Sequence, residues 1–170
     1  EFRRVLFRSR RMDSPAAIDC LEYYAGWADK IAGEVVPTRR DAFTYVQRVP
    51  VGVVGVVVPW NFALMNAVWK IAPALACGCT VVLKPAELTP LSALWLGAAA
   101  LEAGLPPGVL NIVPGFGAEA GAALVTHPRV DKISFTGSPD TGRFIMRAAA
   151  ENITRIGDRK STRLNSSHRT

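Results

Sequence analysis

The stretch VVGVVVPWNF at residues 53–62 decides the fold of this chain. An apolar run rich in valine stops abruptly at Pro59, which is typical of a strand buried on both faces in a parallel sheet. A second apolar run, TVVLK at residues 80–84, ends in charge before PAE at residues 85–87. Because the carboxyl ends of parallel strands meet at one edge of a sheet, we expect the two loops that follow to carry the chemistry.

Alternation of strands and helices continues from residue 51 to residue 150. The pattern predicts strands at 53–58, 80–83, 109–113 and 132–135, and helices at 64–76, 91–103, 118–125 and 141–150. Gly78 and Gly104 stand where helix C-terminal caps are expected. Regular alternation with short connections indicates an α/β fold: an incomplete, parallel, Rossmann-like βαβ sheet with helices on both faces.

One amphipathic helix and one outlying strand are predicted before the sheet, within residues 10–50. Ser14 and Pro15 are typical of a helix start, and apolar residues recur at helical spacing until Gly33. A partly exposed strand should follow, indicated by Phe43, Tyr45 and Val49.

The two ends of the chain differ in origin from the rest, in our interpretation. A single DNA sequence, read on opposite strands, encodes both residues 1–9 and the first part of residues 158–170. An inverted repeat of this kind is typical of a translated sequencing adapter, and natural basic tails are the alternative. We expect both tails to pack against nothing specific, and we assign residues 51–157 to a partial nucleotide-binding domain.

Charge and composition exclude several function classes. The chain carries a net charge of +6 and a pI near 9.7, but residues 1–9 contribute +2 and residues 158–170 contribute +3, which leaves +1 for the remainder. A nearly neutral remainder does not favour a nucleic-acid partner. No apolar run reaches the roughly 18 residues of a membrane span, and no secretory signal opens the chain. We therefore expect a cytoplasmic protein with no membrane partner.

Three cysteines, Cys20, Cys77 and Cys79, lack the spacing of metal ligands. We expect buried, reduced thiols and no metal site.

Asn61 and the pair Lys84 and Glu87 are the first candidates for a functional site. Asn61 follows a Pro-Trp turn, where a neutral amide donor can stabilise developing negative charge; the alternative is a turn asparagine that bonds its own backbone. Lys84 can donate to one ribose hydroxyl while Glu87 accepts from the other. Glu87 would also repel a 2′-phosphate, which favours NAD over NADP. The alternative is a solvated surface ion pair.

Two further loops have features of a phosphate or nucleotide site. FTGS at residues 135–138 ends the fourth strand, and backbone N–H groups with the Ser138 hydroxyl at a helix N-terminus would form an anion site. GFGAEAG at residues 115–121 is weak as a dinucleotide motif, because its last glycine comes one residue late.

Taken together, PWN at 59–61, KPAE at 84–87, GFG at 115–117 and FTGS at 135–138 closely resemble the aldehyde dehydrogenase superfamily over most of residues 13–155. The resemblance implies oxidation of a small-molecule aldehyde to a carboxylic acid with NAD, by a homo-oligomer whose outlying strands make subunit contacts. It implies that Asn61 donates to the substrate oxygen, that Gly117 lies against the adenine and that Ser138 contacts the pyrophosphate. Pro139 departs from the threonine that is usual there. The positions that the resemblance assigns to the cofactor are Val58, Pro59, Trp60, Lys84, Glu87, Gly117, Gly121, Phe135, Gly137 and Ser138.

The reaction of this family also needs a cysteine nucleophile and a glutamate base. Neither is recognisable in this chain, and Cys77 and Cys79 precede a strand at the wrong end of the sheet. We therefore expect an inactive fragment of the enzyme. A CoA-acylating semialdehyde dehydrogenase and a non-catalytic nucleotide-binding module remain as alternatives.

Overall fold

The computed structural model describes residues 12–160, with side chains described up to residue 157. A π-helical turn over Gly117–Gly121 leads into the fourth helix. In chain order the elements are α1 (Ser14–Ala25), β1 (Glu34–Val36), β2 (Thr44–Val46), β3 (Val53–Val57), α2 (Ala63–Ala76), β4 (Thr80–Lys84), α3 (Leu91–Glu102), β5 (Leu110–Ile112), α4 (Ala122–Thr126), β6 (Lys132–Gly137), α5 (Pro139–Asn152) and β7 (Arg155–Lys160).

Five strands form one parallel sheet in the order β5-β4-β3-β6-β7. The chain builds outward from β3 to β5 and then returns to place β6 on the other side of β3. The predicted α/β fold with a parallel Rossmann-like sheet is confirmed. In open sheets of this kind, ligands bind at the carboxyl edge where the strand order reverses, which here is the crevice between β3 and β6.

Side chains of β3 alternate between two apolar cores, as the two-residue period of a strand requires. Val53 and Val57 pack on a core built by α4, α5 and β6. The opposite face joins a core built by α2, α3 and β4 through Val54, Val56 and Val58. Both faces of β3 are therefore covered by helices, which explains why the run is apolar at nearly every position.

Two glycines end helices as the sequence predicts. Gly78 follows α2 with a φ of 76°, and Gly104 follows α3 with a φ of 90°. The N–H of Gly78 donates to Leu75 O at 2.9 Å, and the N–H of Gly104 donates to Leu101 O at 3.0 Å. These bonds are part of Schellman motifs, which need a left-handed residue and satisfy the last helical carbonyls.

The region before the sheet differs from the prediction. Helix α1 ends at Ala25 instead of continuing to Gly33, because Gly26 has low helix propensity and the apolar residues beyond it lie exposed rather than packed. The outlying strand is in fact an antiparallel pair, in which Val35 of β1 lies opposite Tyr45 of β2. Val49 lies outside β2. Strand β1 is only three residues long, too short to show a period.

Strand β7 was not predicted, and it crosses the proposed boundary at residue 158. Its backbone pairs with β6 from Lys132 opposite Arg155 to Gly137 opposite Lys160. The expectation that residues 158–170 contact nothing specific is therefore wrong for the backbone of 158–160, because a parallel ladder joins backbone groups whatever the side chains are. Residues 1–9 and 161–170 lie outside the described residues.

The helices within residues 12–160 are all too short or too polar to cross a membrane.

Candidate active site

Strands β3 and β4 end level with each other at the carboxyl edge of the sheet, and β6 continues two residues further, to Gly137. Val57 of β3 is paired with Lys84 of β4 on one side and with Phe135 of β6 on the other. Neighbouring strands lie about 4.8 Å apart, so the three strands reach this edge side by side. The structure thus brings the predicted PWN, KPAE and FTGS loops together where the strand order reverses.

The loop after β3 is a sharp turn that contains a strained residue. Val58 is buried, and its N–H donates to Lys84 O at 3.3 Å. Pro59 is half-buried, whereas Trp60 is 59% exposed. Phe62 has φ 49° and ψ 45°, a left-handed conformation that is rare for a bulky residue. Strain of this kind concentrates at functional sites, and here it directly follows Asn61.

The side-chain amide of Asn61 is half-buried. Within residues 12–160, no hydrogen bond engages this amide. A turn asparagine would bond its own backbone, and Asn61 does not. Its amide N–H groups remain available to a ligand in the crevice.

Asn66, which was not predicted from the sequence, hydrogen-bonds the backbone carbonyl of Asn61. Its Nδ2 donates to the backbone oxygen of Asn61 at 2.9 Å, and its backbone N–H donates to Phe62 O at 2.8 Å. One polar residue within the apolar segment ALMNAVW was the only signal available in the sequence.

Lys84 and Glu87 form an ion pair with very unequal exposure. Lys84 Nζ lies 3.2 Å from Glu87 Oε2, and their side chains are 4% and 45% exposed. The backbone N–H of Glu87 and then the Lys84 ammonium hydrogen-bond this carboxylate and lower the pKa of Glu87 below its ordinary value. Because Lys84 is buried, the pair is not the solvated surface pair of the alternative interpretation. It offers one donor and one acceptor at the mouth of the crevice.

The end of β6 leads into a capped helix. Ser138 Oγ accepts from the N–H of Thr141 at 3.2 Å and lies 3.0 Å from Thr141 Oγ1. Helix α5 is 14 residues long, and its N-terminus carries partial positive charge. Thr141 supplies a second hydroxyl beside Ser138. This hydroxyl lies two residues after Pro139, which replaces the usual threonine. Asp140 in the first turn is paired with Arg143 at 2.6 Å.

Gly137 is required by the packing of Phe135. A Cβ added at Gly137 would lie 2.6 Å from Phe135 Cζ, and the Phe135 ring is buried. A cleft of about 200 Å³ opens beside these residues and reaches Ser138 and Met146. The ring and the glycine together shape the floor of this cleft.

Gly117 and Gly121 lie in the π-helical turn after β5. Among the described atoms, none lies within 4 Å of a Cβ added at either glycine, so the space beside Gly117 is open to a ligand. The glycine that the backbone itself requires is Gly115, with a φ of 147° and only 2.8 Å from an added Cβ to Ala120 Cβ. The predicted cofactor residues therefore lie at or after the carboxyl ends of four strands, β5, β4, β3 and β6.

Lys70 is a second residue that the sequence analysis missed. Its Nζ donates to Phe135 O at 3.3 Å. This bond links α2, which follows Asn61, to β6, which precedes Ser138, and so joins the two sides of the crevice.

None of the three cysteines is placed as a reactive thiol at this edge of the sheet. Cys77 and Cys79 lie at the amino end of β4, as predicted, but Cys77 is exposed, so the expectation of three buried thiols is wrong. Burial raises the pKa of the Cys20 thiol. The described part of the chain contains no group of three His, Cys, Asp or Glu residues that could hold a metal ion.

Comparison with known proteins gives the family. Residues 5–157 match the model of the aldehyde dehydrogenase family. The chain belongs to the aldehyde dehydrogenase family. The resemblance noted in the sequence is confirmed.

Individual aldehyde dehydrogenases show how much of a relative's length this chain spans. Retinal dehydrogenase 2 of Mus musculus is 55% identical over 146 residues, which are 85% of this chain and 28% of that protein. A putative aldehyde dehydrogenase, DhaS of Bacillus subtilis strain 168, is 55% identical over 85% of this chain and 29% of its own length. The NAD⁺ complex of an aldehyde dehydrogenase from Bacillus cereus superposes with a TM-score of 0.88 at 50% identity, over 90% of this chain and 31% of that one. The chain spans about three tenths of the length of these relatives.

Proposed function

We propose that this chain is the NAD-binding part of an enzyme that oxidises an aldehyde to a carboxylic acid with NAD as hydride acceptor. The carboxyl ends of β3, β4 and β6 at one edge of the sheet, with the unengaged amide of Asn61 in the loop after β3, carry the proposal. Family membership supports it. The NAD⁺ complex of the Bacillus cereus relative supports the choice of cofactor.

The residues present fit a dinucleotide by the chemistry of their donors. Lys84 and Glu87 would bind the two hydroxyls of the adenosine ribose, and Ser138 with the N-terminus of α5 would bind the pyrophosphate. Open space at Gly117 suits a flat adenine. When bound, NAD supplies the hydride acceptor. The remaining contacts along the crevice are proposed for Val58, Pro59, Trp60, Gly121, Phe135 and Gly137.

Asn61 would act on the substrate itself. When a nucleophile adds to an aldehyde carbonyl, negative charge develops on the oxygen, and a fixed amide donor in a site shielded from water stabilises that charge. Cys77 and Cys79 lie at the opposite edge of the sheet from Asn61. We therefore propose that this chain alone binds NAD but does not oxidise aldehydes.

The charge at the ribose site favours NAD over NADP. The lowered pKa keeps Glu87 ionised at neutral pH, and a 2′-phosphate beside this carboxylate would bring like charges together. Lys84 is already engaged by Glu87 at 3.2 Å, so it offers little compensation to a phosphate.

Two measurements test the proposed function. Calorimetric titration of this chain should show NAD binding that is tighter than NADP binding. The full-length protein, given an aldehyde and NAD, should produce NADH and the carboxylic acid, detected by absorbance and mass spectrometry. A folded chain that binds neither cofactor would overturn the proposal. Formation of a thioester only when CoA is added would assign the enzyme to the CoA-acylating class instead.

A homo-oligomer is the proposed state of the full-length enzyme. Strands β1 and β2 form a two-stranded sheet in which Val35 and Tyr45 are exposed, and Phe43 is exposed directly before β2. Aromatic residues such as Phe and Tyr are enriched at protein–protein interfaces relative to the rest of the surface.

A further inference from the structure

Asn66 is a buried amide whose side chain reaches the residue proposed to stabilise the oxyanion. The residue is 7% exposed and lies in the first turn of α2, beside the fully buried Ala67 and Val68. Its Nδ2 donates to Asn61 O at 2.9 Å. Burial of an amide costs free energy unless the amide is hydrogen-bonded. If packing alone mattered at this buried position, an apolar residue would avoid that cost. The polar side chain is explained by its bond to Asn61.

The bond to Asn66 fixes a peptide group that is strained. The carbonyl of Asn61 belongs to the peptide that enters Phe62, whose φ is 49°. Holding this carbonyl restrains the plane of the Asn61–Phe62 peptide, and the bond from Asn66 N–H to Phe62 O at 2.8 Å restrains the peptide that follows. The plane of the peptide in turn sets the direction in which the Asn61 side chain leaves the backbone.

We propose that Asn66 is a positioning residue for the oxyanion-binding amide of Asn61. The inference rests on the proposed function of Asn61. A donor stabilises developing charge only if it is already aimed at the position of the oxyanion, and small misplacements are costly in rate. Without the Asn66 bond, Phe62 can relax from its left-handed conformation, and the Asn61 amide can then move away from the crevice. Lys84, Glu87 and Ser138, which would bind the ribose and the pyrophosphate, lie in other loops, so most of the binding of the cofactor should be preserved.

A purely structural role for Asn66 makes a different prediction. If Asn66 only satisfies a turn carbonyl, its loss lowers the melting temperature without slowing turnover of the folded enzyme. Asn111 provides a matched control, because its Nδ2 also donates to backbone carbonyls, at 2.7 Å to Gly108 O and 3.3 Å to Val81 O. Asn111 lies on β5, outside the proposed site.

The experiment compares Asn66→Leu with Asn111→Leu in the full-length enzyme. Both substitutions remove the amide donor and keep the number and branching of the side-chain heavy atoms, so both should lower the melting temperature. Asn66→Leu should lower kcat by about tenfold or more, with the Kd for NAD and the KM for aldehyde within about twofold of the parent. Asn111→Leu should leave kcat within about twofold. If Asn66→Leu does not fold, Asn66→Ala removes the donor without adding volume or charge, and Asn111→Ala is then its control.

A double-mutant cycle separates the two proposals. If Asn66 acts through Asn61, the Asn61→Ala, Asn66→Leu enzyme should be no slower than Asn61→Ala alone, within about twofold. Independent, additive losses would overturn the positioning role, and so would a parental kcat in Asn66→Leu beside a slow Asn61→Ala. A parental kcat in Asn61→Ala would overturn the proposed oxyanion role of Asn61, and the positioning role of Asn66 with it, while the binding and turnover measurements on the parent test the proposed function itself.

Discussion

At the scale of single residues, three side chains have separable parts in the proposed function. Asn61 would stabilise the negative charge that develops on the substrate oxygen, and Glu87 would favour NAD over NADP. The buried Lys84 forms an ion pair with Glu87, with 3.2 Å between Nζ and Oε2. Because the three contacts differ in chemistry, each can be tested by a different measurement.

Replacement of Asn61 should affect the rate and spare the cofactor. In the full-length enzyme, Asn61→Ala should lower kcat roughly a hundredfold, because the lost hydrogen bond strengthens only as charge develops. The Kd for NAD should change less than about twofold. Turnover and calorimetric affinity are to be measured on the same folded protein. Unchanged turnover, or weaker NAD binding with a lower melting temperature, would assign Asn61 to the turn alone.

Replacement of Glu87 should relax the choice of cofactor. Glu87→Ser removes the charge that would face a 2′-phosphate, so kcat/KM with NADP should rise by about tenfold. Glu102→Ser, which removes an exposed carboxylate at the end of α3, should leave both cofactors unaffected. Steady-state kinetics with NAD and NADP give the comparison. A parent enzyme that already uses NADP as well as NAD would contradict the argument.

The pKa of Glu87 should depend on Lys84 only in part. Lys84→Met should raise this pKa but not fully to its ordinary value, because the backbone N–H, which contributes most to the lowered pKa, remains. A lowered pKa means that ionised Glu87 stabilises the fold above its unfolded pKa of about 4.3, and that this stabilisation is lost as the pH falls through the lower folded value. In Lys84→Met the loss should therefore be smaller and should be complete at a higher pH. Carboxyl carbon NMR titrations of both proteins measure the shift, and identical titration curves would refute it.

At the scale of elements, the junction of β6 and α5 is the most tightly constrained part of the site. The Phe135 ring packs on the Cα of Gly137, and the next residue, Ser138, caps the helix with its Oγ 3.2 Å from Thr141 N. A displacement at Gly137 is therefore transmitted directly to the proposed pyrophosphate site.

The substitution Gly137→Ala should destabilise this junction. The new Cβ would meet a buried ring at 2.6 Å, and overpacking of this kind costs about 1–3 kcal/mol. We expect a fall of several degrees in the melting temperature and weaker NAD binding. Gly117→Ala is the control for stability, because open space surrounds that position. A Gly137→Ala protein as stable as the parent would show that the ring moves aside.

Elements with a full period were predictable from the sequence, and short or strained ones were not. Strands β3 to β6 and helices α2, α3 and α5 lie within two residues of their predicted bounds, because each is an apolar segment of the right length between clear start and stop signals. Strand β1 has too few residues to show a period, and β7 gains its place from backbone pairing with β6. The left-handed Phe62 and its partner Asn66 depend on tertiary contacts, so the support behind Asn61 could not be found from the sequence.

At the scale of the whole molecule, β1 and β2 project apolar side chains that the sheet domain does not cover. If these strands join subunits, Tyr45→Asp should lower the mass of the full-length assembly, because a charge in a closed interface is costly. Leu101→Asp, at a similarly exposed position on α3, should leave the mass unchanged. Light scattering after size exclusion measures both. An unchanged mass for Tyr45→Asp would place the interface elsewhere.

The central position of β3 also affects the order in which the sheet can form during synthesis. Two hydrogen bonds join Val53 and Asp131 where β6 enters the sheet, 2.8 Å from Val53 N to Asp131 Oδ2 and 3.0 Å from Asp131 N to Val53 O. These residues are 78 positions apart, so a ribosome that adds about 5–20 residues per second needs roughly 4–16 s to make the second after the first. Throughout that interval the apolar β3 has one open edge, which can pair with a wrong strand. The crevice beside Asn61 is thus among the last features of the nascent domain to form.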